Sequence, residues 1–116
     1  MTVPPQRTRI KICGLTREED VDAAVQAGAD AIGLVLYPKS PRHVSLERAV
    51  ALARRLPPFV TPVGLFVNAT ADEVRRACEA IPHLVPQFHG DEPPEACEAH
   101  GRPYLRAARM APGFDL

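Results

Sequence analysis

The stretch Arg9-Ile10-Lys11-Ile12-Cys13-Gly14-Leu15-Thr16-Arg17-Glu18-Glu19 joins a short strand pattern to the start of a helix. Alternate strand residues point to opposite faces, so Lys11 shares a face with Cys13, and Ile10 with Ile12. Gly14 falls where the chain must turn. Thr16 and Glu19 have the spacing of a capping box, in which two side chains satisfy orphan amides at a helix start. The stretch therefore reads as a βα unit with a thiol delivered to its turn.

The same alternation continues along the chain. Further apolar runs occur at Ala31–Leu36, Val63–Val67, Val85–His89 and Tyr104–Ala107. Between them lie helical patterns. The first buries Val21, Ala24 and Val25 and stops at Gly28, a residue suited to a left-handed C-terminal turn. The second starts at Ser45, shows the stripe Leu46, Ala49, Val50, Ala53 and Leu56, and ends at Pro57. The third repeats the cap with Thr70 and Glu73 and buries Val74, Ala77 and Ile81. The fourth starts around Asp91-Glu92-Pro93-Pro94, with proline tolerated in a first turn, and ends near Gly101.

The resulting order, βαβαβαβαβ, predicts an α/β fold with five parallel strands and four helices. Periodicity alone leaves an open doubly wound sheet and part of a barrel both available. The lack of a GxGxxG motif argues against dinucleotide binding. Polar residues within the strands favour the barrel: Lys11 with Cys13, Gln87 with His89, and Arg106. Strands covered on both faces by helices would be apolar throughout. In a βα barrel the chemistry sits at the C-terminal ends of the strands, where Cys13 falls.

The chain has 116 residues, and its fourteen basic residues balance fourteen acidic ones. No global field therefore favours nucleic acid or an anionic membrane. No apolar run approaches the length of a membrane span. Residues 1–8 carry no signal-peptide pattern and are expected to be a flexible N-terminus to a single domain over 1–116. Three widely spaced cysteines, Cys13, Cys78 and Cys97, with no CxxC and no metal-type cluster, suggest free thiols and a cytoplasmic location.

Five motifs carry a family resemblance: Lys11-Ile12-Cys13-Gly14-Leu15-Thr16, Ala27-Gly28-Ala29-Asp30-Ala31-Ile32-Gly33, Tyr37-Pro38-Lys39-Ser40-Pro41-Arg42, Val63-Gly64-Leu65-Phe66-Val67-Asn68 and Gln87-Phe88-His89-Gly90-Asp91-Glu92. In this order and spacing the chain resembles phosphoribosylanthranilate isomerase of tryptophan biosynthesis from Arg9 to about Ala107. The resemblance implies a (βα)8 TIM barrel of roughly 200 residues, of which this chain carries the N-terminal half. It implies an Amadori rearrangement of N-(5-phosphoribosyl)anthranilate, an aminoaldose, to the aminoketose 1-(2-carboxyphenylamino)-1-deoxyribulose 5-phosphate, without cofactor or metal. Cys13 would be the general base acting on C2′ of a Schiff-base intermediate. The family's general-acid aspartate follows the sixth strand and its phosphate loops follow the seventh and eighth, beyond the matched half. Asp115 matches another part of the pattern and is not that acid.

Each candidate also has a plainer reading. Cysteine is most often a small buried hydrophobe; Cys78 and Cys97 are read that way, and Cys13 so read apart from its motif. Arg42 can fork onto the anthranilate carboxylate, as the resemblance implies, or be an exposed loop arginine. His89 can hydrogen-bond substrate or plug the barrel interior. Asp91 is expected to cap the fourth helix. Lys11 and Arg106 are expected to form an interior charge network.

The chain is thus expected to be a truncated isomerase, inactive alone, with a small phosphosugar substrate and no nucleic-acid or membrane partner. The alternative is a non-catalytic half-barrel that binds a phosphosugar, pairs with a complementary C-terminal half, or self-associates through open sheet edges. A different barrel enzyme of tryptophan synthesis does not explain Lys-Ile-Cys-Gly and Ser-Pro-Arg together.

Overall fold

The computed structural model describes residues 8–107. Most of the expected N-terminal tail and Asp115 lie outside them. The elements follow the expected alternation: β1 (Lys11–Cys13), α1 (Glu18–Gln26), β2 (Ala31–Val35), α2 (Leu46–Ala53), β3 (Thr61–Phe66), α3 (Ala71–Ala80), β4 (Val85–Phe88), α4 (Pro94–Glu98) and β5 (Leu105–Arg106). The strands form one parallel sheet in the order β1-β2-β3-β4-β5.

Register settles the choice between barrel and open sheet. Ile12, Ile32, Pro62 and, one level along, Leu34 and Gly64 share one face through their pairings. Phe66 and Phe88 continue it. Ile32, Leu34, Phe66 and Phe88 form one core cluster with Val21 and Ala24 of α1, Ala49 and Leu52 of α2, Val74, Ala77 and Cys78 of α3, and Cys97 of α4. All four helices therefore cover one face of a sequentially ordered sheet, which is half of a βα barrel. Removing each large side chain of this layer from water contributes about 1.5–3 kcal/mol.

The other face is concave. Lys11, Cys13, Gly33, Val35, Val63, Leu65, Val85, Gln87 and Leu105 fall on it by register. Although no second half of a barrel covers this face here, Val35, Val63 and Gln87 are buried. The Lys11 ammonium donates to Gln87 Oε1, from β1 across β2 and β3 to β4. The sheet is curled tightly enough for its own side chains to shield the middle of its inner face. At the edges burial falls off on both faces: Ile10 before β1 and Ile12 within it, on the helix side, are 49% and 39% exposed, and Leu105 of β5, on the concave side, is 45% exposed.

Local signals hold at two helix starts. Ser45 Oγ accepts from the Arg48 amide and Thr70 Oγ1 from the Glu73 amide. Gly28, at φ +95°, takes the left-handed turn after α1. The capping box at Thr16 does not form. Helix α1 begins at Glu18, after Arg17, without a side-chain cap. The segment is held from outside instead: Arg48 of α2 pairs with Glu18 and donates to the Thr16 carbonyl at 3.1 Å. Asp91 does not cap α4, whose N-terminus is Pro93. Its amide instead donates to Asn68 Oδ1 at 2.9 Å.

Candidate functional site

Cys13 is the last residue of β1 and pairs with Gly33 of β2. A Cβ at Gly33 would lie 2.8 Å from the Cys13 sulfur, so the thiol occupies the space that glycine leaves on the concave face. The sulfur is a free thiol and the residue is partly exposed. Gly14 follows at φ +82°, and its amide donates to the Gly33 carbonyl at 2.9 Å.

Arg42 lies over that glycine. A Cβ at position 14 would sit 2.5 Å from Arg42 Nη1. Nη1 donates to the Cys13 carbonyl at 3.5 Å, a long hydrogen bond. The arginine's loop is stitched in place from within. Ser40 Oγ accepts from the Arg42 amide at 3.1 Å, and the Val44 amide donates to the Val35 carbonyl at 2.9 Å. The structure thus brings Cys13 and Arg42, 29 residues apart, to one corner of the strand ends. The guanidinium itself is exposed.

His89 stands at the end of β4, on the same rim and also exposed. Its amide continues the ladder to the Phe66 carbonyl at 2.9 Å. Just after it lies Glu92, which sequence reasoning passed over as part of a helix start. Glu92 is only 8% exposed. Its Oε2 accepts from the Asn68 amide at 2.8 Å and its Oε1 from the Gly90 amide at 2.8 Å. The available signal was an acid inside the Gln87–Glu92 motif with no helical face to occupy.

The expected network of Lys11 and Arg106 is not formed. Lys11 is engaged with Gln87 on the concave face. Arg106 pairs in register with Phe88, so it belongs to the helix-side face. There it donates to the Glu92 carbonyl at 2.6 Å, with its Nη1 3.5 Å from the Glu92 carboxylate. A two-residue strand gave the sequence no period from which to assign that face.

Cys78 and Cys97 are buried in the helix layer, as expected of structural cysteines. Burial pushes the Cys78 thiol pKa up, against a smaller opposing effect of Arg102. An open groove of about 1010 Å³ lies at the other end of the sheet, lined by Thr61, Val85, Ile81, Pro82 and Arg102 among others. It is at the N-terminal ends of β3 and β4, remote from the Cys13 corner. Among the described residues no group of three or more His, Cys, Asp or Glu side chains is placed to hold a metal ion, and no helix is long and apolar enough to cross a membrane.

A sequence model described as N-(5'phosphoribosyl)anthranilate (PRA) isomerase matches residues 10–111. A protein of Leptothrix cholodnii named N-(5'-phosphoribosyl)anthranilate isomerase is 76% identical over 116 residues, covering 100% of this chain and 53% of its own length. A crystal structure of phosphoribosyl anthranilate isomerase from Thermotoga maritima superposes with a TM-score of 0.80 at 41% identity, covering 86% of this chain and 49% of that one. Another, with TM-score 0.80 and 41% identity over 86% of this chain and 52% of its own, is in complex with reduced 1-(o-carboxyphenylamino)-1-deoxyribulose 5-phosphate. The chain spans about half the length of the curated relatives it matches.

Proposed function

The chain belongs to the N-(5'-phosphoribosyl)anthranilate isomerase family, and from that premise we propose that it supplies the thiol side of an isomerase active site for an Amadori rearrangement. The substrate is an anthranilate-bearing phosphosugar, and the compartment is the cytoplasm. The carrying observation is the corner at the end of β1, where the Cys13 thiol lies over Gly33 with the Arg42 guanidinium beside it.

In this reading Cys13 is the general base. Its thiolate takes the proton from C2′ of the ring-opened Schiff base. The electron pair moves toward the nitrogen, giving the enamine that tautomerises to the ketose. No redox partner is needed, because oxidation at C2′ balances reduction at C1′. Arg42 presents a planar fork suited to the anthranilate carboxylate, and its place beside Cys13 would hold the ring end near the base. His89 serves as a hydrogen-bond partner to substrate on the same rim. Ring opening needs an acid on the sugar oxygen, and the family pattern puts that acid in the other half of the barrel.

The test is turnover by the purified chain with and without the remaining C-terminal part of the Leptothrix cholodnii relative. Activity is expected only with both parts, and Cys13→Ala in the pair should lower kcat by roughly a hundredfold or more. Near-normal kcat in that variant would rule out the base.

A further inference from the structure

Glu92 occupies an unusual place for a carboxylate. Its side chain is 6% exposed, yet it caps no helix. Both of its oxygens accept backbone amides, and the amides come from two different loops. One is Asn68, after β3; the other is Gly90, after β4. The loops interlock further. Asn68 sits in the left-handed region at φ 51°, and its Oδ1 accepts from the Asp91 amide at 2.9 Å. A Cβ at Gly90 would lie 2.7 Å from that same oxygen. Arg106 of β5 supports the acid from a third element.

His89 lies in the middle of this arrangement. Its own amide is held by the Phe66 carbonyl, and the next amide, that of Gly90, by Glu92. Both peptide units flanking the histidine are therefore anchored, one by the sheet and one by the acid. We propose that Glu92 is a positioning residue of the site: it bolts the β3–α3 loop to the β4–α4 loop and thereby fixes the direction in which His89 leaves the rim. The proposal rests on the reading of His89 as a substrate contact, and adds the residue through which that contact is aimed. Hydrogen bonds to a charged acceptor are the stronger kind and set geometry as well as energy.

Glu92→Gln keeps the shape but turns one acceptor into a donor, so one of the two loop amides loses its partner. Amide hydrogen exchange and His89 ring resonances are to be followed by NMR on the labelled chain joined by the complementing C-terminal part. The expected result is exchange at Asn68 or Gly90 faster by about tenfold or more, with displaced His89 ring resonances. Alkylation of Cys78 and Cys97 should stay as slow as before, which separates loss of aim from loss of fold. In the joined protein, KM should rise several-fold with a smaller change in kcat. If Glu92→Gln does not fold, Arg106→Gln loosens the same acid from outside and should give the same signature more weakly. Unchanged exchange and unchanged His89 ring resonances in the folded variant overturn the proposal. A joined wild-type protein without turnover would instead sink the isomerase reading, leaving the exchange result to judge the bolt alone.

Discussion

At the level of single residues, Gly14 has two independent reasons to be glycine. Its φ of +82° strains any L side chain, and the space a Cβ would need is filled by Arg42. Gly14→Ala should therefore destabilise the chain by at least about 1–2 kcal/mol, measured by urea unfolding, and should also push Arg42 off the Cys13 corner. Arg42→Ala leaves the backbone alone. In the joined protein it should raise KM for the anthranilate substrate while unfolding stability stays the same; an unchanged KM would make Arg42 a surface residue. The three thiols should separate by reactivity. Cys13 is partly exposed, whereas Cys78 and Cys97 are buried and the Cys78 pKa is raised by burial. Iodoacetamide followed by peptide mass mapping should label Cys13 first; equal rates would mean that the helix layer opens freely.

Between elements, ion pairs tie α1 to α2. Glu18 pairs with Arg48, and Asp22 with Arg55 at 2.5 Å. Hydrogen bonds from those arginines hold both carboxyl pKa values below their ordinary range. A carboxylate whose pKa is depressed by folding binds its proton more readily in the unfolded chain. Its stabilisation is present above the ordinary carboxylate pKa and is lost as pH falls through the lowered one. The α1–α2 pairing should therefore weaken progressively below roughly pH 4. All four partners are substantially solvent-exposed, so the effect is modest and screened by salt. Acid titration followed by circular dichroism should show an earlier loss for wild type than for Glu18→Gln with Asp22→Asn when each is referred to its own neutral-pH stability. Coincident normalised curves would show that these pairs do not couple to folding.

Across the whole molecule, the sheet has two ends. β1 pairs with β2 and β5 with β4, and both edge regions expose apolar residues: Ile10 and Ile12 at one side, Leu105 at the other. An unpaired strand edge bearing apolar side chains is a template for further pairing. The 116-residue chain alone is expected to self-associate in light scattering and to show no isomerase turnover. Adding the complementing C-terminal part should restore a single discrete species. A monodisperse, active chain without that part would refute this expectation.

The order of strands and helices was legible in the sequence because strand and helix periods are local, and Ser45, Thr70 and Gly28 announce their turns with their own side chains or backbone. Cys13 and Arg42 were legible as candidates through their motifs. What tertiary structure decided was everything that depends on partners distant in sequence. Thr16 did not become a cap: the helix starts at Glu18 with Arg17 before it, and Arg48 of the next helix holds the Thr16 carbonyl and Glu18. Arg106 was assigned to the polar inner face, but its pairing with Phe88 puts it on the other side. Lys11 found Gln87 because the sheet curls, and a strand's own sequence does not state its curvature. Glu92 was hidden for the same reason. Its partners are backbone amides, which every residue but proline carries, so no sequence pattern marks them until the fold brings two loops together.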